Sequence, residues 1–238
     1  MSQEEKSSPH RWLPAVTAVF VTSLILSNII AVKLFVLGPL ILPSAVLIFP
    51  LSYICGDVLT EVYGYGRARQ VIWIGFGCNL LAVLIIGLSI QLPPAPFSPV
   101  PSFSSPQSFQ DAYRGILGFA PRLLAASFLA YLFGEFLNSF VLAKMKIATR
   151  GRHLWMRTIG STLAGQLADS GIFILLAFYG TIPSPVLGWM ILTQWLVKTA
   201  YEAVMTPFTY LVVNFLKRVE KEDYYDRETD FHPLRWRH

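Results

Sequence analysis

The sequence predicts an all-α polytopic membrane protein: a bundle of about six transmembrane helices with both termini cytoplasmic. Three observations predict it. Hydrophobic residues make up 54% of the 238-residue chain and charged residues only 14%, against roughly 25% charged in soluble domains. The apolar residues fall into six runs long enough to cross about 30 Å of hydrocarbon. The Lys and Arg residues collect in alternate connections between those runs. A net charge of +5 would also suit a nucleic-acid binder, but basic residues placed between spans set orientation instead, and no directly bound nucleic acid is expected.

Taken in order, residues 1–12 form a short polar amino-terminal segment, 13–216 the six-span domain and 217–238 a charged tail. Span 1 runs from Leu13 to about Phe35. It is longer than a signal-peptide core and has no small-residue cleavage site after it, so it is read as retained. A turn is expected at Gly38-Pro39. Span 2 follows from about Leu40 to Leu59, with Pro43 near its start and Pro50 inside it, and span 3 covers about Val71 to Leu92. Residues 93–110 carry six prolines, five serines and no charge, which predicts an exposed irregular loop. Span 4 runs from about Phe119 to Ala143 and span 5 from about Thr158 to Tyr179, followed by a short turn at Thr181 to Pro185. Span 6, from about Val186 to Phe215, contains Pro207 and must tilt, kink or project into water.

Orientation follows from the basic residues. The amino end, the 61–70 turn, the 144–157 loop and the tail hold 2, 2, 5 and 6 Lys or Arg, and six spans place all four segments on one side. The opposite side has only Lys33, Arg114 and Arg122 near span ends. The positive-inside rule makes the crowded side cytoplasmic.

Polar groups lie at depth in the spans. Asp57 and Glu61 are four residues apart and share a helix face, followed by Arg67 and Arg69 in the turn. Two readings stand for this pair: functional acids at the end of a span, or groups that cap the helix or bridge to Arg67 and Arg69. Asn28 sits near the end of span 1. Span 4 offers Glu135 and Asn138, span 5 Gln166 and Asp169, and span 6 Gln194, Lys198 and Glu202, each set on one face. Charges at membrane depth are costly and survive together when they face one another or water. They form either a packing network, with Lys198 paired to Asp169 or Glu202, or a polar cavity that holds a solute.

Other chemistry lacks its motifs. No GxxxxGK[ST] loop, HExxH, Cys/His cluster or GxSxG elbow is present, and no cofactor or metal is expected. Cys55 and Cys78 lie in apolar runs without redox or metal spacing. The chain is read as a non-enzyme.

DVLTEVYGYGRAR, from Asp57 to Arg69, resembles the signature of the queuosine precursor transporters, a branch of the vitamin uptake transporter family. The likeness continues in RQVIWIGFGCNLLA at 69–82, GEFLNSFVLAKMK at 134–146, RTIGSTLAGQLADSGIF at 157–173 and KTAYEAVMTPFTYLVVNFLKR at 198–218. The amino end, the proline-rich loop and the final tail lie outside it. The resemblance implies a multi-pass carrier of the cell inner membrane that imports 7-cyano- and 7-aminomethyl-7-deazaguanine for tRNA queuosine salvage. Its partners would be the deazaguanine base and membrane lipid, with homo-oligomers or separate energising subunits left open. The wider family also implies an alternative: a membrane subunit that captures a vitamin-like solute and depends on a separate ATPase module. A scaffold protein is the third reading, in which the buried acids are replaceable by neutral residues.

Overall fold

The computed structural model describes residues 10–30, 32–37, 40–97, 100, 102–118, 121–180 and 183–233. The expected turn at Gly38-Pro39 and the first two residues of the turn at Thr181 fall outside them. Seven α-helices are present among these residues: α1 (Leu13–Ile30), α2 (Phe49–Tyr63), α3 (Tyr65–Gln91), α4 (Pro106–Leu117), α5 (Pro121–Ala148), α6 (Leu154–Phe178) and α7 (Ser184–Glu220). Four are long and apolar enough to cross a membrane: α1, α3, α5 from Leu124 onward, and α6. The 37 residues of α7 would extend about 55 Å, and the 15 of α2 about 22 Å.

The helical class stands, with one correction: the first half of span 2 is not part of a helix. Strands β1 (Leu34–Leu37) and β2 (Leu40–Pro43) pair antiparallel, Leu34 opposite Pro43 and Leu37 opposite Leu40, and a 3₁₀ turn at Ser44–Leu47 leads into α2. Pro50 therefore sits in the first turn of α2, where its missing N–H costs nothing, and does not interrupt a span. The proline-rich stretch is likewise not irregular to its end, because α4 starts at Pro106. Ser105 Oγ accepts from Ser108 N at 3.1 Å and Ser108 Oγ accepts from Ser105 N at 3.2 Å, closing a capping box around Pro106. This helix lies over the end of α3, where the hydroxyls of Tyr113 and Ser89 are 2.9 Å apart. Between them is a recess of about 210 Å³ lined in part by Phe97 and Phe109.

The core lies around α2, the shortest of the inner helices. Its Ile54, Cys55, Val58, Leu59, Val62 and Tyr63 pack with Phe20 of α1, Ala68 and Val71 of α3, Leu154 of α6, and Val213 and Leu216 of α7. Exposed Leu81, Leu84 and Leu88 on α3 and Val204, Leu211 and Phe215 on α7 form the outer apolar surface. A helix covered on all sides can carry acids only where neighbours answer them.

The ends of α2, α5 and α7 and the starts of α1, α3 and α6 gather at one end of the bundle. Gly64, between α2 and α3, has a φ of +85°, and Gly151, between α5 and α6, one of +75°, values that favour glycine. The ring of Tyr224 occupies the space a Cβ on Gly64 would need, and the hydroxyl of Tyr225 does the same at Gly151. The segment after α7 thus lies across both turns.

Candidate functional site

The site begins where α5 crosses α6. A Cβ on Gly134 would stand 2.9 Å from the Asp169 Cβ, and one on Gly165 would stand 2.8 Å from the Asn138 Cβ. Such a crossing needs small residues, and it places the two polar pairs, Glu135 with Asn138 and Gln166 with Asp169, beside the contact. On α2, Asp57 is 1% exposed and accepts from Asn138 Nδ2 at 3.2 Å. Glu135 approaches the same helix, its Oε2 lying 3.3 Å from where a Cβ on Gly56 would be. From α7, Glu202 is fully buried and brings its carboxyl against that of Asp57. Lys198, one turn earlier, pairs with Asp169 Oδ2 at 2.5 Å, with both side chains about one-fifth exposed. The hydroxyl of Tyr53 on α2 bonds to Gln166.

Six of the sequence-predicted residues, Asp57, Glu135, Asn138, Asp169, Lys198 and Glu202, thus converge among α2, α5, α6 and α7, and Gln166 joins them through Tyr53. The choice of partner for Lys198 falls on Asp169. Gln194 is half-buried a turn before it. Asn28 lies elsewhere, donating to Asn79 Oδ1 at 2.9 Å between α1 and α3.

The unmatched carboxyl and amide atoms of the cluster share one character, whereas the Ser170 hydroxyl beside them, also unmatched, can donate as well as accept. Asp57 Oδ2, Asn138 Oδ1, Gln166 Oε1 and both Glu202 carboxyl oxygens are buried without a hydrogen-bond partner. All five are acceptors. A contact between two carboxyls can be closed only by a proton held between them, and the oxygens left over, with the two amide oxygens, can only accept. A buried acceptor left unmade costs roughly 1–3 kcal/mol, so this interior is primed for donors.

Glu61 belongs to a different cluster. It is fully buried one turn from Asp57, and it bridges to neither Arg67 nor Arg69, the partners weighed for it from sequence. Its Oε1 accepts from Arg157 Nη2 at 2.6 Å and Lys217 Nζ at 2.7 Å, its Oε2 from Arg157 Nε at 3.3 Å, and Lys146 Nζ stands 3.8 Å away. Arg69 instead donates to the carbonyls of Asp230 at 2.9 Å and His232 at 2.7 Å. Lys146 and Lys217 also reach Asp223, at 2.6 and 2.8 Å. Burial pushes the Asp223 carboxyl up, but hydrogen bonds from Lys146 and Lys217 outweigh it and leave the group below its ordinary value. For Asp226 burial wins and the carboxyl sits above its ordinary value, although it accepts from Tyr65 N at the start of α3. Sequence reasoning missed Tyr53, Lys146, Arg157, Lys217 and the tail acids. The available signal was that Lys146, Arg157 and Lys217 each border an apolar run.

Among the described residues no group of three or more His, Cys, Asp or Glu is placed to hold a metal ion. Long apolar helices outside and a charged, acceptor-rich interior define a multi-pass helical membrane protein. Within that class the chain belongs to the vitamin uptake transporter family: the family model described as "Putative vitamin uptake transporter" matches residues 43–212. A Bacillus subtilis protein named "Probable queuosine precursor transporter" is 33% identical over 166 residues, 69% of each chain. The Escherichia coli "Queuosine precursor transporter" is 28% identical over 131 residues, 55% of this chain and 52% of that one. A Haemophilus influenzae protein named "Probable queuosine precursor transporter" is 26% identical over 133 residues, 56% of this chain and 50% of its own. No solved structure matches.

Proposed function

We propose that this protein imports queuosine precursors, 7-cyano- and 7-aminomethyl-7-deazaguanine, through the inner membrane, and that it does so as a non-enzymatic six-span carrier with both ends cytoplasmic. The names of its relatives support the substrate class. The observation that carries it here is the set of five buried acceptors on Asp57, Asn138, Gln166 and Glu202. A deazaguanine presents N1–H and its 2-amino group as adjacent donors, which one carboxylate accepts together, and the aminomethyl form adds a cation. Its carbonyl oxygen needs a donor, and Lys198 stands one turn from Glu202 to supply it. Flat-ring contact is available from Tyr53, which touches Gln166.

Topology rests on where the charges fall. Arg67 and Arg69, Lys144 to Arg157, and Lys217 to Arg227 all belong to the end of the bundle where α2, α5 and α7 stop. Counting α2 with the hairpin before it as one crossing and α7 as another completes six.

The test uses cells that cannot make queuosine precursors, supplied with either base. Expression of the protein should restore queuosine in tRNA. Asp57→Asn and Glu202→Gln, which keep shape and remove an acceptor charge, should insert normally and cut uptake at least tenfold. Restoration at the wild-type rate by both variants would end the assignment of these acids to the substrate.

A further inference from the structure

We propose that residues 221–233 are a latch, clasped by Lys146 and Lys217, which closes the basic end of the bundle and must come off for a solute to leave through it. This deepens the reading of the chain as an importer and rests on it for direction: the basic end is the exit.

The clasp is built into the body. Lys146 is 1% exposed, and an ammonium has three N–H groups to place. One goes to the Glu61 carbonyl at 2.5 Å; the other two go to the segment, to Asp223 Oδ1 at 2.6 Å and the Tyr224 carbonyl at 2.7 Å. A buried lysine with two of three donors committed to the segment is compatible with burial only while the segment is docked. Lys217 is shared in the same way, between Glu61 Oε1 and Asp223 Oδ1.

The rest of the segment follows the floor of the bundle. Tyr224 N donates to the Val62 carbonyl at 3.2 Å. Both carboxyl oxygens of Asp226 accept from Tyr65 N, at 3.0 and 3.1 Å, so the acid sits at the positive end of α3. Tyr65 and Trp73 donate to the carbonyls of Phe231 and Pro233, at 3.1 and 2.9 Å, and Arg69 holds two more. Lys144 Nζ lies 4.0 Å from the centre of the Phe231 ring.

Three features make this a latch rather than a permanent seal. Residues 221–233 contain no helix or strand and are held chiefly by side chains of α3, α5 and α7. The contacts are mostly polar, and Asp223 is 43% and Lys217 22% exposed, so water can take over the bond between them, while Lys146 and Asp226, each 1% exposed, are freed once the segment lifts. The position is decisive: Glu61, which the clasp covers, is one helical turn from Asp57 on the same face of α2. A solute released from Asp57 toward the basic end meets Glu61 and then the segment. The family match stops at residue 212, so the latch lies beyond it.

The experiment uses full-length protein with Cys55 and Cys78 replaced by Ser. In one arm, Ser170→Cys, at a fully buried position beside Asp169, reports access from the basic end in inside-out vesicles treated with an impermeant maleimide. Asp223→Asn with Asp226→Asn should raise its labelling rate at least tenfold while helix content stays at the parent level. Equal rates overturn the latch. In the second arm, Trp73→Cys and Pro233→Cys are joined by a short bis-thiosulfonate in membranes. Joining should abolish uptake and reduction should restore it; uptake unchanged by joining also overturns the proposal. The labelling arm needs no substrate, so an error about the imported base leaves it decisive.

Discussion

Glu61→Gln is the most demanding test of the packing at the basic end. The change keeps the side chain's size and removes one negative charge that faces Arg157, Lys217 and Lys146 in a fully buried position. Breaking a buried ion pair by removing one partner costs about 3–5 kcal/mol. The surroundings place this case at the lower edge. Lys146 keeps three acceptors, Lys217 keeps Asp223, and Arg157 keeps Thr149 Oγ1 and the Arg152 carbonyl. A loss of about 3 kcal/mol at about 2–4 °C per kcal/mol lowers the melting midpoint by about 6–12 °C in a chain of this size. The assay is a thermal melt of detergent-purified protein followed by tryptophan fluorescence. Glu61→Gln combined with Arg157→Gln, which removes the bidentate partner as well, should recover at least half of the drop. A single variant that melts within about 2 °C of the parent would refute the reasoning, because the acid would then not be holding buried cations.

Lys198→Ala should lower uptake strongly, and Lys198→Ala with Asp169→Asn should restore expression without restoring uptake; recovered uptake would make the pair a packing lock. An impermeant thiol reagent on intact cells should label Ser104→Cys and not Arg152→Cys, and the reverse pattern would invert the topology. Because Asp223 is held below its ordinary carboxylate value when docked, its contribution is complete above the undocked value and is lost only as pH falls through the lower, docked one. In protein that also carries Asp226→Asn and Glu222→Gln, the distance between spin labels attached beforehand at Trp73→Cys and Pro233→Cys should therefore stay constant from about pH 8 to about pH 5. A lengthening within that range would show that Asp223 does not anchor the segment.

The sequence made the long helices legible because each is an apolar run that polar loops interrupt. It also made most of the interior legible, since a charged or amide side chain inside such a run must face a neighbour. It failed where length was short or separation long. LFVL and LILP are apolar four-residue pieces, and at that length periodicity does not separate strand from helix. Pro106 looked like one more loop proline, although Ser105 and Ser108 together spell a capping box. Glu61 was set against the nearest cations in sequence, Arg67 and Arg69. Its actual partners, Arg157 and Lys217, are 96 and 156 residues away and become neighbours only after the bundle closes.

The glycine contact between α5 and α6 has a mechanical consequence. Two backbones that touch at Gly134 and Gly165 have no soft side chains between them to shear, so the pair should travel as one stiff plate. Glu135, Asn138, Gln166 and Asp169 are fixed on that plate, and distances among them should hold constant through a cycle. Rearrangement is left to the seams with α2 and α7, where Asp57 and Glu202 meet it edge-on. Spin labels on α5 and α6 should then keep one separation with and without solute, while a pair on α6 and α7 records the stroke.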